Sequence, residues 1–171
     1  MEKIIVQIGD PVLRIKTKEV AVKDISSKEI QAIIANLKDT LKSTKDGIGL
    51  ASPQIGEKTR IFVIADSVYK KEDSIRPTVF INPVITKKSS KKVSFEEGCL
   101  SIRGVYGHVR RPAQVTVVAY DEHGEKFERG AGALLARVIQ HELDHLDGVL
   151  FTDKADDVWK ADTRTTKIPK E

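Results

Sequence analysis

Between Ser26 and about Lys45 the apolar residues Ile30, Ile33, Ile34, Leu37 and Leu41 recur every three or four positions, the spacing of one helix face. Ser26 and Glu29 make a capping-box pattern at the start, and Gly47 ends the helix. The next stretch, DGIGLASPQIG at 46–56, carries three glycines and a proline and is incompatible with regular helix. The pattern then changes to that of strands: RIFVIA (60–65), TVFINPVI (78–85), KVSF (92–95), VTVVAY (115–120) and EKFERG (125–130). Pro83 marks an edge or bulge, and DEHG at 121–124 supplies a hairpin turn. A second helix follows from about Gly132 to Leu146. Helix, several strands, then helix predicts an α+β domain, with antiparallel or mixed sheets packed around a central buried helix. The domain is expected to span 1–153, with a tail at 154–171 that is partly disordered and packed back through Trp159.

The second helix holds the chemistry. Leu134, Val138, His141 and His145 fall on one stripe, and Leu135, Ile139, Leu143 and Leu146 occupy neighbouring ground. A helix apolar over most of its circumference is buried. Its polar exceptions, Gln140, His141, Glu142 and His145, therefore need partners, because burying unpaired polar groups costs about 1–3 kcal/mol each or more. Histidines at i and i+4 lie on one face, close enough to converge on a metal ion. Glu142, directly after the first of them, projects beside such an ion in the H-E-x-x-H manner of the zincins. A bland alternative is a pair of core histidines bonded to carbonyls. Two imidazoles do not hold an ion tightly, so a third ligand is required. Asp144, Asp147, Asp153, Asp156 and Cys99 are the candidates, with Asp147 close to the helix end and Cys99 in EEGCLS (96–101) at the start of a loop.

Composition narrows the setting. The chain has 171 residues, 40% hydrophobic and 32% charged, which describes a globular protein. No apolar run reaches membrane-spanning length, and the acidic, Gly-Pro-interrupted start MEKIIVQIGDPVL predicts neither a signal nor a transit peptide. The single cysteine excludes an internal disulfide and suits a reducing compartment, so a bacterial-type cytoplasm is expected. Net charge is only +4, and the one dense basic run, KKSSKK at 87–92, reads as a solvated hairpin tip. It lacks the interleaved aromatics of a nucleic-acid site, although it leaves room for a weak electrostatic contact with a ribosome.

Three segments together resemble a known family. GIGLASPQ (47–54), EGCLS (97–101) and QHELDHLDG (140–148) are similar, in order and spacing, to the signature motifs of peptide deformylases, as is RRP at 110–112. The likeness runs from about residue 7 to residue 153. It implies a hydrolase that removes the formyl group from the N-formyl-methionine end of nascent peptides. One divalent metal would be held by Cys99, His141 and His145 with a fourth position open to water: Fe2+ in the cell, with Zn2+, Ni2+ or Co2+ also suited to the ligands. Glu142 would serve as base and then acid, and Gln54 with the Leu100 N–H would stabilise the oxyanion. Gly49 would pair with the peptide main chain, while Ile48, Leu134 and Val138 would wall the methionine pocket. Glu97 and Arg111 would pair to brace the cysteine loop. Ser52 stands where the family commonly has alanine, adding a hydroxyl near Gln54. Arg103 replaces a frequent proline and either loosens the loop or reaches toward the peptide. Two rival readings are a zinc endopeptidase and a non-catalytic interaction module stapled by its metal.

Overall fold

The computed structural model describes residues 1–161. Helix α1 spans Lys28–Ser43 and is followed by strands β1 (Gly49–Ala51), β2 (Ile61–Ile64), β3 (Val79–Lys88), β4 (Lys92–Cys99), β5 (Ile102–Pro112), β6 (Gln114–Tyr120) and β7 (Lys126–Gly132). Helix α2 (Ala133–Leu146) and strand β8 (Ala155–Lys160) complete the order. Five strands form one sheet in the order β1-β2-β3-β6-β7, and β4-β5-β8 form a second. Every strand pairing in them is antiparallel.

Alternation along the central strands builds two cores. Phe62 and Ile64 of β2 and Phe80 of β3 join Leu135, Ala136, Val138 and Ile139 of α2 in one cluster. Ile61, Val63, Val79 and Ile81, on the opposite face, join Ile30, Ile33, Ile34, Leu37 and Leu41 of α1 in another. The five-stranded sheet is thus covered on both faces, which is why β2 reads as a continuous apolar run. The three-stranded sheet closes over the remaining side of α2 and has its own small core of Leu13, Ile102, Val109, Leu150 and Phe151. The expected α+β architecture around a buried helix is therefore present.

Several boundaries differ from the sequence reading. Helix α1 is capped by Ser27 rather than Ser26, its hydroxyl accepting from the Ile30 N–H at 3.3 Å, and the helix stops at Ser43, short of Gly47. Within 46–56 lie a short strand and a 3-10 turn, Ser52–Ile55. Asn82, just before Pro83, takes a positive φ of 51°, and the β3–β6 register shifts between Ile81 and Val84, so the proline sits at a bulge. KKSSKK is not a hairpin tip: it links β3 in one sheet to β4 in the other. Strand β5 was not anticipated at all. Its residues alternate buried Gly107, Val109 and Arg111 with exposed His108 and Arg110, too little apolar signal for a strand. The segment ADDVWK, placed in the tail by sequence, is β8. It pairs with β5, and Trp159 lies opposite Tyr106 with its ring 4.8 Å from that of His108. The remainder of the tail, from residue 162, lies outside the described residues. Among the described residues no helix is long and apolar enough to cross a membrane.

Candidate metal centre

Helix α2 brings His141 and His145 together, with ring centroids 5.0 Å apart. The third group arrives from β4. Gly98 pairs with Tyr106 in the β4–β5 ladder, but Cys99 pairs with Ile102, and this register shift re-aims the last residue of the strand. Gly98 is needed there, because a Cβ would lie 2.9 Å from the Tyr106 ring. Cys99 Sγ comes to 3.2 Å from His145 Nε2. One ligand atom each from Cys99, His141 and His145 falls within a 4.8 Å span, the cluster among the described residues able to hold an ion. Zinc-like bonds of about 2.3 Å to sulfur and 2.0–2.1 Å to nitrogen, at a tetrahedral angle, separate two such ligands by about 3.5 Å. The donor set and its spacing fit a divalent ion.

The aspartates considered as third ligands are engaged elsewhere or lie apart. Asp144 accepts from Arg111 at 2.7 Å and from Lys154 at 2.7 Å, Asp147 pairs with Arg60, and Asp153 pairs with Arg14. Asp156 is exposed on β8.

Behind the ligands stands a buried ionic network. Glu97 accepts from Arg111 Nε at 2.6 Å and Nη2 at 2.9 Å, and from Arg137 Nη1 at 2.6 Å. Its Oε2 also lies 2.9 Å from His141 Nδ1, which makes Nδ1 a donor and leaves Nε2 for an ion. Burial pushes the Glu97 carboxyl up, but the Arg111 and His141 bonds outweigh this and hold it well below the usual range. Arg137, Asp144 and Lys154 were not singled out from sequence for these contacts. A signal was present: Arg137, His141 and Asp144 follow at i, i+4 and i+7 along a buried helix, so charge on that stripe must be paired.

Glu142 is the opposite case. It is 4% exposed, and its Oε2 has no hydrogen-bond partner. Burial, first, and the nearby Glu97 charge raise its pKa to about 7, although His141 opposes this. Gly49 of β1 lies against it, and a Cβ there would be 2.5 Å from Glu142 Oε1. His145 is pushed below the usual imidazole range by burial and by the neighbouring His141.

Gln54 Oε1 accepts from the Ala51 N–H at 2.8 Å, which turns its Nε2 toward Ser101 Oγ at 3.1 Å and Cys99 Sγ at 3.6 Å. The Ser52 hydroxyl does not meet Gln54 and donates instead to the Thr59 carbonyl. Beside these groups a cavity of about 390 Å³ is lined by Ile48, Gly49, Leu100, Leu134 and Val138, with exposed Arg103 at its border.

This constellation has relatives. The sequence model of the polypeptide deformylase family matches residues 2–161. The chain belongs to the polypeptide deformylase family. A peptide deformylase of Pseudothermotoga lettingae is 48% identical over 153 residues, covering 90% of this chain and 82% of that one. The crystal structure of the Thermotoga maritima peptide deformylase superposes with a TM-score of 0.81 at 33% identity, over 92% of this chain and 99% of that one. A class I type b deformylase of Acinetobacter baumannii, solved bound to Met-Ala-Ser, gives 0.79 at 27% identity, over 90% and 98%. Among the described residues Cys99, His141 and His145 thus form a single divalent-metal site, that of a deformylase, suited to Fe2+ or Zn2+.

Proposed function

We propose that this chain cleaves the formamide at the N-formyl-methionyl end of nascent peptides, releasing formate, with Glu142 carrying the proton and Gln54 and Leu100 steadying the developing charge. The activity is that of a metal-dependent deformylase. The observation that carries the residue roles is a buried carboxylate, Glu142, adjoining a three-ligand cluster and missing a partner at one oxygen. When bound, the metal supplies Lewis-acid polarisation of the formyl oxygen and acidifies water to near neutrality.

The chain's own groups do the rest. Glu142, lining the cavity beside the ligands, takes up a proton at its carboxylate and returns it to the departing amine nitrogen. The Gln54 Nε2 and the Leu100 N–H serve as neutral donors, the Gln54 amide being fixed through the Ala51 N–H before substrate arrives, the kind of arrangement that stabilises an oxyanion. Gly49 offers main chain from an edge strand, since β1 pairs with β2 alone, and an extended peptide adds to such an edge. Ile48, Leu134 and Val138 give the cavity an apolar wall for methionine. The Acinetobacter relative bound to Met-Ala-Ser supports a methionyl peptide in this cavity. Glu97 and Arg111 orient His141. Nascent peptides emerging in a bacterial-type cytoplasm are the expected substrates. The exposed lysines 87, 88, 91 and 92 suit a weak, salt-sensitive ribosome contact.

The deciding experiment measures formate release from formyl-Met-Ala-Ser by protein purified anaerobically, on the preparation used for metal analysis. Glu142→Ala is expected to keep one metal per chain and lose turnover. Cleavage of internal peptide bonds, or full turnover by Glu142→Ala, would refute the assignment.

A further inference from the structure

The two donors assigned to the oxyanion sit on separate loops, Gln54 after β1 and Leu100 after β4. One N-terminal strap ties both. The Val6 N–H donates to the Gln54 carbonyl at 2.8 Å, and the Ile8 N–H donates to the Ser101 carbonyl at 2.8 Å. Between them the Gln7 side chain donates through Nε2 to the Leu100 carbonyl at 3.0 Å and to the Ile5 carbonyl at 3.2 Å. The peptide unit joining Leu100 to Ser101 is therefore held at both ends. Its carbonyl receives Gln7, and its N–H donates to Cys99 Sγ at 3.4 Å.

We infer that Gln7 is a positioning residue for the reaction: it fixes the Leu100–Ser101 peptide, and with it the direction of the Leu100 N–H and the hydrogen bond on the Cys99 sulfur. This rests on the reading of Leu100 as an oxyanion donor. Gln7 touches neither the ligand nitrogens nor the cavity. Its amide is half-buried and spends its donors on two carbonyls, one of them 93 residues away in sequence. A hydrogen bond on a carbonyl also polarises the N–H at the other end of the same peptide, strengthening its bond to sulfur. Without Gln7 the Leu100 carbonyl loses this donor and the peptide is held at its N–H end only, and misplacing a reacting group by about an ångström costs up to roughly 100-fold in rate.

The test compares Gln7→Leu, which keeps bulk and loses the donor, with Gln7→His, whose ring N–H has similar reach. Both are loaded with zinc and assayed on formyl-Met-Ala-Ser, and exchange of the Ser101 amide is followed by NMR. For Gln7→Leu, kcat is expected to fall about 10- to 100-fold with KM within about twofold. The Ser101 amide is expected to exchange faster while melting temperature and zinc content hold, and Gln7→His is expected to recover most of kcat. An unchanged Ser101 exchange rate in Gln7→Leu overturns the clamp itself. Faster exchange with unchanged kcat overturns the catalytic consequence of the clamp, while the role given to Leu100 stands or falls with the formate-release assay on the wild type. A loss that follows melting temperature and is not recovered by Gln7→His makes the strap merely structural and also overturns the inference.

Discussion

Glu142 is held where it costs the empty protein stability. In the fold its carboxyl is buried, lacks a partner at Oε2 and has its pKa raised to about 7 from 4.5. A raised pKa means that the folded state favours the neutral acid. The stabilisation from this group is complete below pH about 4.5 and is lost as pH rises through about 7, where the buried carboxyl must ionise. The shift of about 2.5 pH units corresponds to roughly 3 kcal/mol, since each unit is about 1.4 kcal/mol. Glu142→Gln removes the ionisation and keeps the shape. With metal stripped by chelator, the variant should therefore gain on the wild type as pH rises from about 5 to 8, by up to about 3 kcal/mol. Any fixed cost of burying the amide shifts both ends equally. Urea unfolding at several pH values reads this directly, as a difference in midpoint that widens by about 1–2 M over the range. A difference that stays flat with pH, or narrows above pH 7, would refute the reasoning. The same substitution is expected to abolish turnover in the metal-loaded enzyme.

Other outcomes follow from the surrounding geometry. Arg111→Met strips Glu97 and Asp144 of a shared buried partner and should cost about 3–5 kcal/mol, a fall on the order of 10 °C in Tm by calorimetry. Glu97→Ala releases His141 Nδ1 and should weaken zinc binding about 10- to 100-fold in a chelator competition. Gly49→Ala drives a Cβ against Glu142 Oε1 and should lower kcat about 100-fold while leaving metal content unchanged.

How legible all this was depends on the kind of signal each element carries. The two helices and strands β2, β3, β6 and β7 each face an apolar core, so their burial repeats in sequence at the helical or strand period. Strand β5 faces β8 and a charged network, and its inward residues include Gly107 and Arg111, which leave no apolar alternation to find. Strand β8 is nearly all exposed or half-buried and is held by its pairing with β5. At the site, the histidine pair and Glu142 could be read from helical geometry alone. The sulfur ligand was less legible: its loop position made Cys99 a candidate among several, resemblance to a family selected it, and the register shift at Gly98 that aims it leaves no pattern in sequence. The Gln7 strap leaves no local trace, since its partner carbonyl is set by tertiary packing.

Metal-edge X-ray absorption of the zinc-loaded enzyme addresses the centre most directly. The account predicts one sulfur scatterer near 2.3 Å with two imidazole nitrogens at about 2.0–2.1 Å, and loss of the sulfur contribution in Cys99→Asp. A spectrum with nitrogen and oxygen neighbours only, unchanged by that substitution, would contradict it.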